Sequence, residues 1–251
     1  MASVADATEA QVDKKFPVME IFGPVIQGEG QMIGKQTHFI RFGGCDFACS
    51  WCDTKFAVDP IKVQQGMTRM NSYAIMNRIG PLPRVDWVTF SGGNPLLFDL
   101  DFLLGLLFLR GFKVAVETQG SVWRDWASRV NCLTVSPKGP SSGMHQDMGK
   151  LGRFLGDRLQ PPLNVNLKIV VADVQDLEFA REVHRFWPLI PMTVQPCNTM
   201  AEDAPSIALL RADLLAKYNW LSEAVMREGS MKDVLVLPQL HALAWGNERA
   251  R

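Results

Sequence analysis

Short apolar runs of strand length alternate along most of the chain with longer stretches of helical period. "PVMEIF" and "THFIRF", rich in branched and aromatic residues, read as strands separated by the glycine-rich "GPVIQGEGQMIG". Further along, "VDWVTF", "KVAVETQG", "CLTVSPK", "NLKIVV" and "IPMTVQP" read as strands. Helical stretches separate them in "FDLDFLLGLLFLRG", "VWRDWASR", "DLEFAREVHRFW" and residues 205–227, before "VLVLPQLHALAW" closes the pattern. This β-α-β-α rhythm predicts a parallel sheet with helices outside it, and a doubly wound sheet and a full or partial β/α barrel share it. In both, chemistry gathers beyond the strands' C-terminal ends. The cysteine-rich loop after THFIRF, "SGGNP" after VDWVTF, "ETQG" ending KVAVE and "SPK" after CLTV all fall there, so they are expected to share one mouth.

Composition narrows the class. The 251 residues are 47% apolar and 21% charged, as in a soluble domain with room for a core. Lys plus Arg equal Asp plus Glu at 26 each, which leaves no overall field to attract nucleic acid or an anionic membrane, while a small charged substrate remains open. Residues 1–15 are small and polar without the apolar core of a signal peptide, and no later apolar run is long enough to span a bilayer. The expectation is a cytoplasmic α/β protein with a flexible segment over 1–15 and a single domain over 16–251.

Three of the five cysteines crowd into "GGCDFACSWCDTKFA" as C-x-x-x-C-x-x-C: Cys45, Cys49 and Cys52. In a reducing compartment such crowding argues for metal or catalysis rather than a disulfide framework. Cys132 and Cys197 sit alone among apolar neighbours and read as small buried hydrophobes. Three thiolates can hold three irons of a [4Fe–4S] cluster and leave the fourth iron open for reaction. Structural zinc wants four protein ligands, usually as two pairs, and no second Cys or His pair stands at suitable spacing. From the loop alone, cluster and zinc both stand.

The neighbouring motifs add a resemblance. The spacing C-x-x-x-C-x-x-C, with Trp51 before the last cysteine, resembles that of the radical S-adenosylmethionine enzymes, and SGGNP resembles their glycine-rich motif. "EIFGPVIQGEG", "GCDFACSWCDT", "SGGNP", "ETQG", "SPK", "LKIV" and "PQLHALAWGN" occur in this order across residues 20–247, and together they resemble the 7-carboxy-7-deazaguanine synthases of the Bacillus type. The resemblance implies a radical-SAM-type partial (β/α) barrel holding a [4Fe–4S] cluster, S-adenosyl-L-methionine and Mg²⁺. It implies conversion of 6-carboxy-5,6,7,8-tetrahydropterin to 7-carboxy-7-deazaguanine by hydrogen abstraction, ring contraction and loss of ammonia. A homodimer and a reducing partner such as flavodoxin or ferredoxin are also implied, with no catalytic side chain singled out.

Residue by residue, the resemblance gives the cluster to Cys45, Cys49 and Cys52, and Mg²⁺ to the hydroxyl of Thr54, where a lone hydroxyl with substrate oxygens is reasonable chemistry. Taken by itself, Asp53 or Thr54 reads as a helix cap. Gly92, Gly93, Ser136, Pro137, Lys138 and Gln195 are expected beside S-adenosylmethionine; the plain alternatives are a tight turn and ordinary loops. Ile26, Gln27, Gly28, Arg41 and Ser91 are expected at the substrate. A carboxylate such as Glu29 or Glu117 fits a 2-aminopyrimidine edge, and Arg41 fits the substrate carboxylate, although a lone Arg is usually a solvated surface residue. His241 either closes over the pterin or is a satisfied core histidine. Asn94 stands where the wider family usually has Glu, which keeps an acceptor and loses the charge.

Segments 67–77 and 139–152 carry no assigned chemistry and are read as lids or dimer contacts, and "GNERAR" extends past the point where some relatives end. Another radical enzyme, such as a glycyl-radical activase, would share the cluster loop but not IQGEG or CDT. A zinc-dependent nucleic-acid module is disfavoured by neutral charge and the missing ligand pair.

Overall fold

The computed structural model describes residues 14–156, 165–201 and 204–251; most of the expected N-terminal segment lies outside them. Nine strands form one sheet: β1 (Phe16–Ile26), β2 (Gln36–Phe42), β3 (Thr68–Met70), β4 (Trp87–Gly92), β5 (Lys113–Thr118), β6 (Cys132–Val135), β7 (Val165–Val171), β8 (Met192–Pro196) and β9 (Leu235–Val236). Their order is β3-β1-β2-β4-β5-β6-β7-β8-β9. β1 is antiparallel to β2 and β3, and from β2 to β9 every pairing is parallel.

From β2 onward the spatial order follows the chain order without reversal. A doubly wound sheet would reverse at a switch point, so this winding is that of a β/α barrel, here left open between β3 and β9. The helices α1 (Pro60–Gly66), α2 (Ser72–Ile79), α3 (Asp101–Leu109), α4 (Met148–Leu155), α5 (Val174–Phe186), α6 (Ile207–Arg227) and α7 (Leu240–Trp245) supply the connections and the end of the chain. Side-chain caps from Asp59, Asn71, Asp147, Asp173 and Ser206 start five of them. The expected helix in VWRDWASR is only a 3-10 turn over Asp125–Arg129.

Within each strand, alternate residues divide between two environments. Ile40, Phe42, Val88, Phe90, Val114, Val116, Leu133, Val135, Leu167, Ile169, Val171, Met192 and Val194 enter the main core with the buried faces of α2, α3, α4 and α5. The residues between them include Arg41, Thr89, Ser91, Glu117, Thr134, Asn166, Lys168, Thr193 and Gln195. Strands that read as apolar runs are therefore amphipathic, and their polar face lines the interior of the open barrel.

Segment 67–77 is neither lid nor separate flap: β3 pairs with β1 at the sheet edge and α2 buries Ile75 and Ile79. Phe42 anchors this end, fully buried and edge-on to Phe16 and Phe90. Phe42→Ala is expected to lower stability by about 3–5 kcal/mol through cavity formation, measured by urea unfolding; a loss below about 1 kcal/mol would show that the site collapses to fill the space.

Candidate active site

A cavity of about 260 Å³ opens at the C-terminal ends of the parallel strands. The loop carrying Cys45, Cys49 and Cys52 forms one wall. It leaves β2 through Gly43 and Gly44, and the end of β4 lies directly against it: Gly93 N–H donates to Phe42 O at 2.9 Å, and Asn94 N–H to Gly44 O at 2.8 Å. A Cβ on Gly92 would sit 2.1 Å from Phe42 O, and one on Gly93 would sit 1.9 Å from Gly44 O. The glycine pair is thus required by backbone meeting backbone, which is more than a tight turn demands.

All three thiols are partly buried and face the cavity. Cys45 Sγ accepts from Phe47 N–H at 3.4 Å and from the Gln119 amide at 3.8 Å, and Cys52 Sγ accepts from Thr54 N–H at 3.4 Å. Burial pushes the Cys45 thiol up to about 11 and the Cys52 thiol up to about 12, with Asp46 and Asp53 adding to it. Burial also raises Cys49, against the pull of Lys138. Deprotonation would come with iron, and N–H groups aimed at the sulfurs suit iron-bound thiolates, so this donor set fits a cluster held through three corners. Asn94 turns away from the cavity and is fully used: its amide donates to Asp46 at 3.0 Å, while its carbonyl accepts from Thr118 Oγ1 at 3.0 Å and Leu96 N–H at 3.2 Å.

A buried charge network lines the same cavity. Lys168 Nζ donates to Glu29 at 2.5 Å and Glu117 at 3.4 Å. Gln239 donates to Glu29 at 2.7 Å, Gln27 to Glu117 at 3.3 Å, and Ser91 Oγ to Glu117 at 3.0 Å. Burial alone would raise the Glu29 carboxyl, but Lys168, His241 and the Gln239 amide outweigh it and hold it well below the usual carboxylate range. Burial would likewise lower Lys168, and the two glutamates reverse that so that it stays protonated. His241, on α7, reaches the same place, where one ligand atom each from Glu29, Asp53 and His241 lie within 4.8 Å of one another. Leu240 N–H bonds Gly28 O at 2.9 Å, docking α7 on the IQGEG loop.

Arg41 is no surface residue. Its Nε pairs with Glu20 at 3.2 Å, its Nη1 reaches Thr54 Oγ1 at 3.5 Å, and its guanidinium lies 5.7–5.9 Å from the Phe22, Phe39 and Phe56 ring centres. Thr54 is buried and makes no capping bond to the turn that follows it; its hydroxyl donates to Asp53 at 2.6 Å. The capping reading of Thr54 is therefore excluded. The C-terminal extension folds across this end, with Arg249 over the Phe56 ring at 3.7 Å and its Nε bonded to Glu20 at 2.8 Å.

On the remaining side, Lys138 Nζ donates to Ser136 Oγ at 2.9 Å and lies 5.6 Å from the centre of the Trp51 ring. Gln195 lines the cavity fully buried, and both its amide nitrogen and oxygen lack a partner within the protein. An orphaned buried amide facing a cavity is a site waiting for polar ligand atoms.

Of the residues singled out in the sequence, Pro137 and Asn94 do not line the cavity; Ile26, Gln27, Gly28, Glu29, Arg41, Thr54, Ser91, Gly92, Gly93, Glu117, Ser136, Lys138, Gln195, His241 and the three cysteines do. Sequence reasoning missed Lys168, Gln239, Glu20 and Arg249. A lysine inside the apolar run NLKIVV was the one available signal, since a charge in a buried strand requires a partner.

Comparison with known proteins agrees over nearly the whole chain. It is similar to the 7-carboxy-7-deazaguanine synthase of Bacillus cereus at 42% identity over 240 residues, covering 94% of this chain and 98% of that protein. The enzyme of the same name from Bacillus subtilis is 43% identical over 244 residues, with 94% and 98% covered. Among solved structures, QueE from Escherichia coli shares the fold with a TM-score of 0.65 at 22% identity, covering 94% of this chain and 100% of that one. No family model matches the chain.

Lys168→Met would leave Glu29 and Glu117 buried without their cation, and it is expected to destabilise the protein by about 3–5 kcal/mol at neutral pH. The depressed Glu29 carboxyl contributes stability above its ordinary value of 4.5 that is lost as pH falls, and the raised Lys168 contributes stability below its ordinary 10.5 that is lost as pH rises. In the variant burial acts on Glu29 without Lys168 to oppose it, so the deficit should shrink as pH falls below 4.5. Urea unfolding across that range checks this, and a pH-independent deficit would count against the charge network.

Proposed function

The chain belongs to the 7-carboxy-7-deazaguanine synthases, and from that premise we propose how its own residues serve the conversion of 6-carboxy-5,6,7,8-tetrahydropterin to 7-carboxy-7-deazaguanine. One observation carries the reading: a single cavity has three partly buried thiols on one wall and also a paired-carboxylate and guanidinium lining suited to a carboxylated pterin. When bound, a [4Fe–4S] cluster and S-adenosylmethionine supply a 5′-deoxyadenosyl radical that takes a hydrogen atom from the substrate and later returns it.

Cys45, Cys49 and Cys52 hold the cluster. Gly92, Gly93, Ser136, Pro137 and Lys138 flank S-adenosylmethionine, and Gln195 satisfies its orphaned amide on that cofactor. Glu117 and Glu29 accept hydrogen bonds from the aminopyrimidine edge, with Lys168 keeping both charged sites tolerable in a buried setting. Ile26, Gln27, Gly28 and Ser91 frame that edge, and His241 closes over the ring from α7. At the opposite end Arg41 receives the substrate carboxylate together with Mg²⁺ on Thr54, whose buried hydroxyl is not used as a cap. Enclosure by α7 and the C-terminal residues keeps bulk water from a carbon radical during ring contraction and loss of ammonia. Flavodoxin or ferredoxin as electron donor, a homodimer and a cytoplasmic setting complete the proposal; among the described residues no helix is long and apolar enough to cross a membrane.

The test is anaerobic: reconstitute with iron and sulfide, add reductant, S-adenosylmethionine, Mg²⁺ and 6-carboxytetrahydropterin, and seek 7-carboxy-7-deazaguanine by mass spectrometry. Any of Cys45→Ala, Cys49→Ala or Cys52→Ala should abolish turnover, and substantial activity in one of them would sink the cluster assignment. Arg41→Ala should raise KM for the pterin tenfold or more, on the order of a lost charge-assisted hydrogen bond. Thr54→Ala should lower the rate and change its Mg²⁺ dependence; an unchanged response would remove the metal from Thr54.

A further inference from the structure

Residues 139–144, part of the segment 139–152 read from the sequence as a lid or dimer contact, hold the cysteine loop. Ser50 donates its N–H to Ser142 O and its hydroxyl to Ser141 O, both at 2.9 Å. The Trp51 indole N–H donates to Ser141 Oγ at 2.9 Å, and Ala48 N–H reaches the Met144 sulfur at 3.3 Å. Both residues between Cys49 and Cys52 are thus tied to this segment.

Ser141 is fixed in turn by Asp176, a residue of the first turn of α5 with no exposed surface. The Asp176 carboxyl accepts Ser141 N–H at 3.0 Å, Ser141 O–H at 2.5 Å and Ala172 N–H at 2.8 Å. A Cβ on Gly139 would lie 2.4 Å from Asp176 Oδ1, so the glycine is what lets the segment approach. The start of α5 does not need this group, because Asp173 already caps it. The hydroxyl proton of Ser141 is committed to Asp176, which leaves its oxygen only the role of acceptor, and the Trp51 N–H takes it.

We propose that Asp176 and Ser141 are positioning residues for the iron–sulfur cluster: Asp176 orients the Ser141 hydroxyl, and Ser141 holds Trp51 and with it the spacing of Cys49 and Cys52. The inference rests on the cluster-binding part of the functional reading. A loop held in its bound shape loses less conformational freedom on taking up iron, and a loosened one releases it sooner.

The test uses Ser141→Ala and Trp51→Phe, singly and together, in anaerobically reconstituted full-length protein. The readouts are the rate of cluster loss to an iron chelator, followed by visible absorbance, and the electron paramagnetic resonance spectrum of the reduced cluster. Each single variant should release iron about three- to tenfold faster, as expected for one lost hydrogen bond. The double variant should be no faster than the quicker single one, because both changes break the same bond. Trp51→Phe leaves the Ser141–Asp176 hydrogen bonds intact and should still quicken release, whereas a merely structural role of Ser141 would quicken it in Ser141→Ala only. Asp176→Asn, which turns a donor toward Ser141, should release iron faster still; if it does not fold, the Ser141 and Trp51 cycle decides alone. Additive effects, or release at the wild-type rate, would overturn the inference while a stable wild-type cluster left the functional reading standing. Wild-type protein that binds no iron would overturn both.

Discussion

A sheet wound in one direction buries one face of every strand under helices and turns the other toward the barrel interior, and this constraint governs the molecule. The helix-facing set is apolar apart from His38, while the interior set is mostly polar and has to satisfy itself, since buried polar groups without partners are costly. It does so across strands. Thr37 and Thr89 share a hydrogen bond at 2.8 Å, Ser91 bonds Glu117 at 3.0 Å, Asn166 bonds Thr134 at 3.1 Å, and Lys168 bridges to Glu29. Toward the C-terminal ends the series meets the cavity, where partners give out at Gln195. The site is the end of the sheet's own polar face rather than a pocket added to it.

The cysteine loop has almost no internal structure, so its shape comes from what surrounds it. The end of β4 presses against its start through Gly92 and Gly93, Ala57 O receives Gly44 N–H at 2.8 Å, and the segment after β6 grips Ser50 and Trp51. Three separate pieces of chain therefore fix the thiols' directions before any iron arrives, which is the preorganisation a cofactor site needs. Asn94 belongs to this support: a neutral side chain there can both donate to Asp46 and accept from Thr118 and the following turn. A carboxylate could do only the accepting.

Most strands and the position of the site were legible because they depend on local pattern and on the general rule that parallel strands carry chemistry at their C-terminal ends. The cysteine spacing and glycine pair were legible for the same reason. Strand order was not, since a doubly wound sheet and a barrel share the same rhythm and only the family resemblance pointed to the barrel. Contacts made across long stretches of chain left no mark. Ser141 and Trp51 are 90 residues apart, Lys168 and Glu29 139, and Arg249 and Glu20 229. Nothing local to GPSSGM or GNERAR distinguishes a brace from a solvated loop, and segment 67–77 read as a lid or dimer contact because a three-residue edge strand is too short to show alternation. Lys168 was the exception, a charge whose apolar flanks announced burial.

Overall neutrality says nothing of the cavity, where charges of both signs are brought together. Near Phe56, Arg41 and Arg249 outnumber their one direct partner, Glu20, while the Asp53 carboxylate is bonded to Thr54 beside Arg41. Beside Lys168 the balance reverses, with Glu29 and Glu117 on a single ammonium group. An anionic group suits the arginines, and hydrogen-bond donors suit the glutamates. A carboxylated pterin carries its carboxylate and its aminopyrimidine edge at opposite ends of a flat ring, and reversing it would set carboxylate against carboxylate. Like charges facing in a buried cavity cost several kcal/mol, so charge by itself disfavours the reversed placement. Thr54 lies beside Arg41, and through the Asp53 carboxylate it also neighbours Glu29 and His241, so the arginine and glutamate sides of the cavity meet at this hydroxyl.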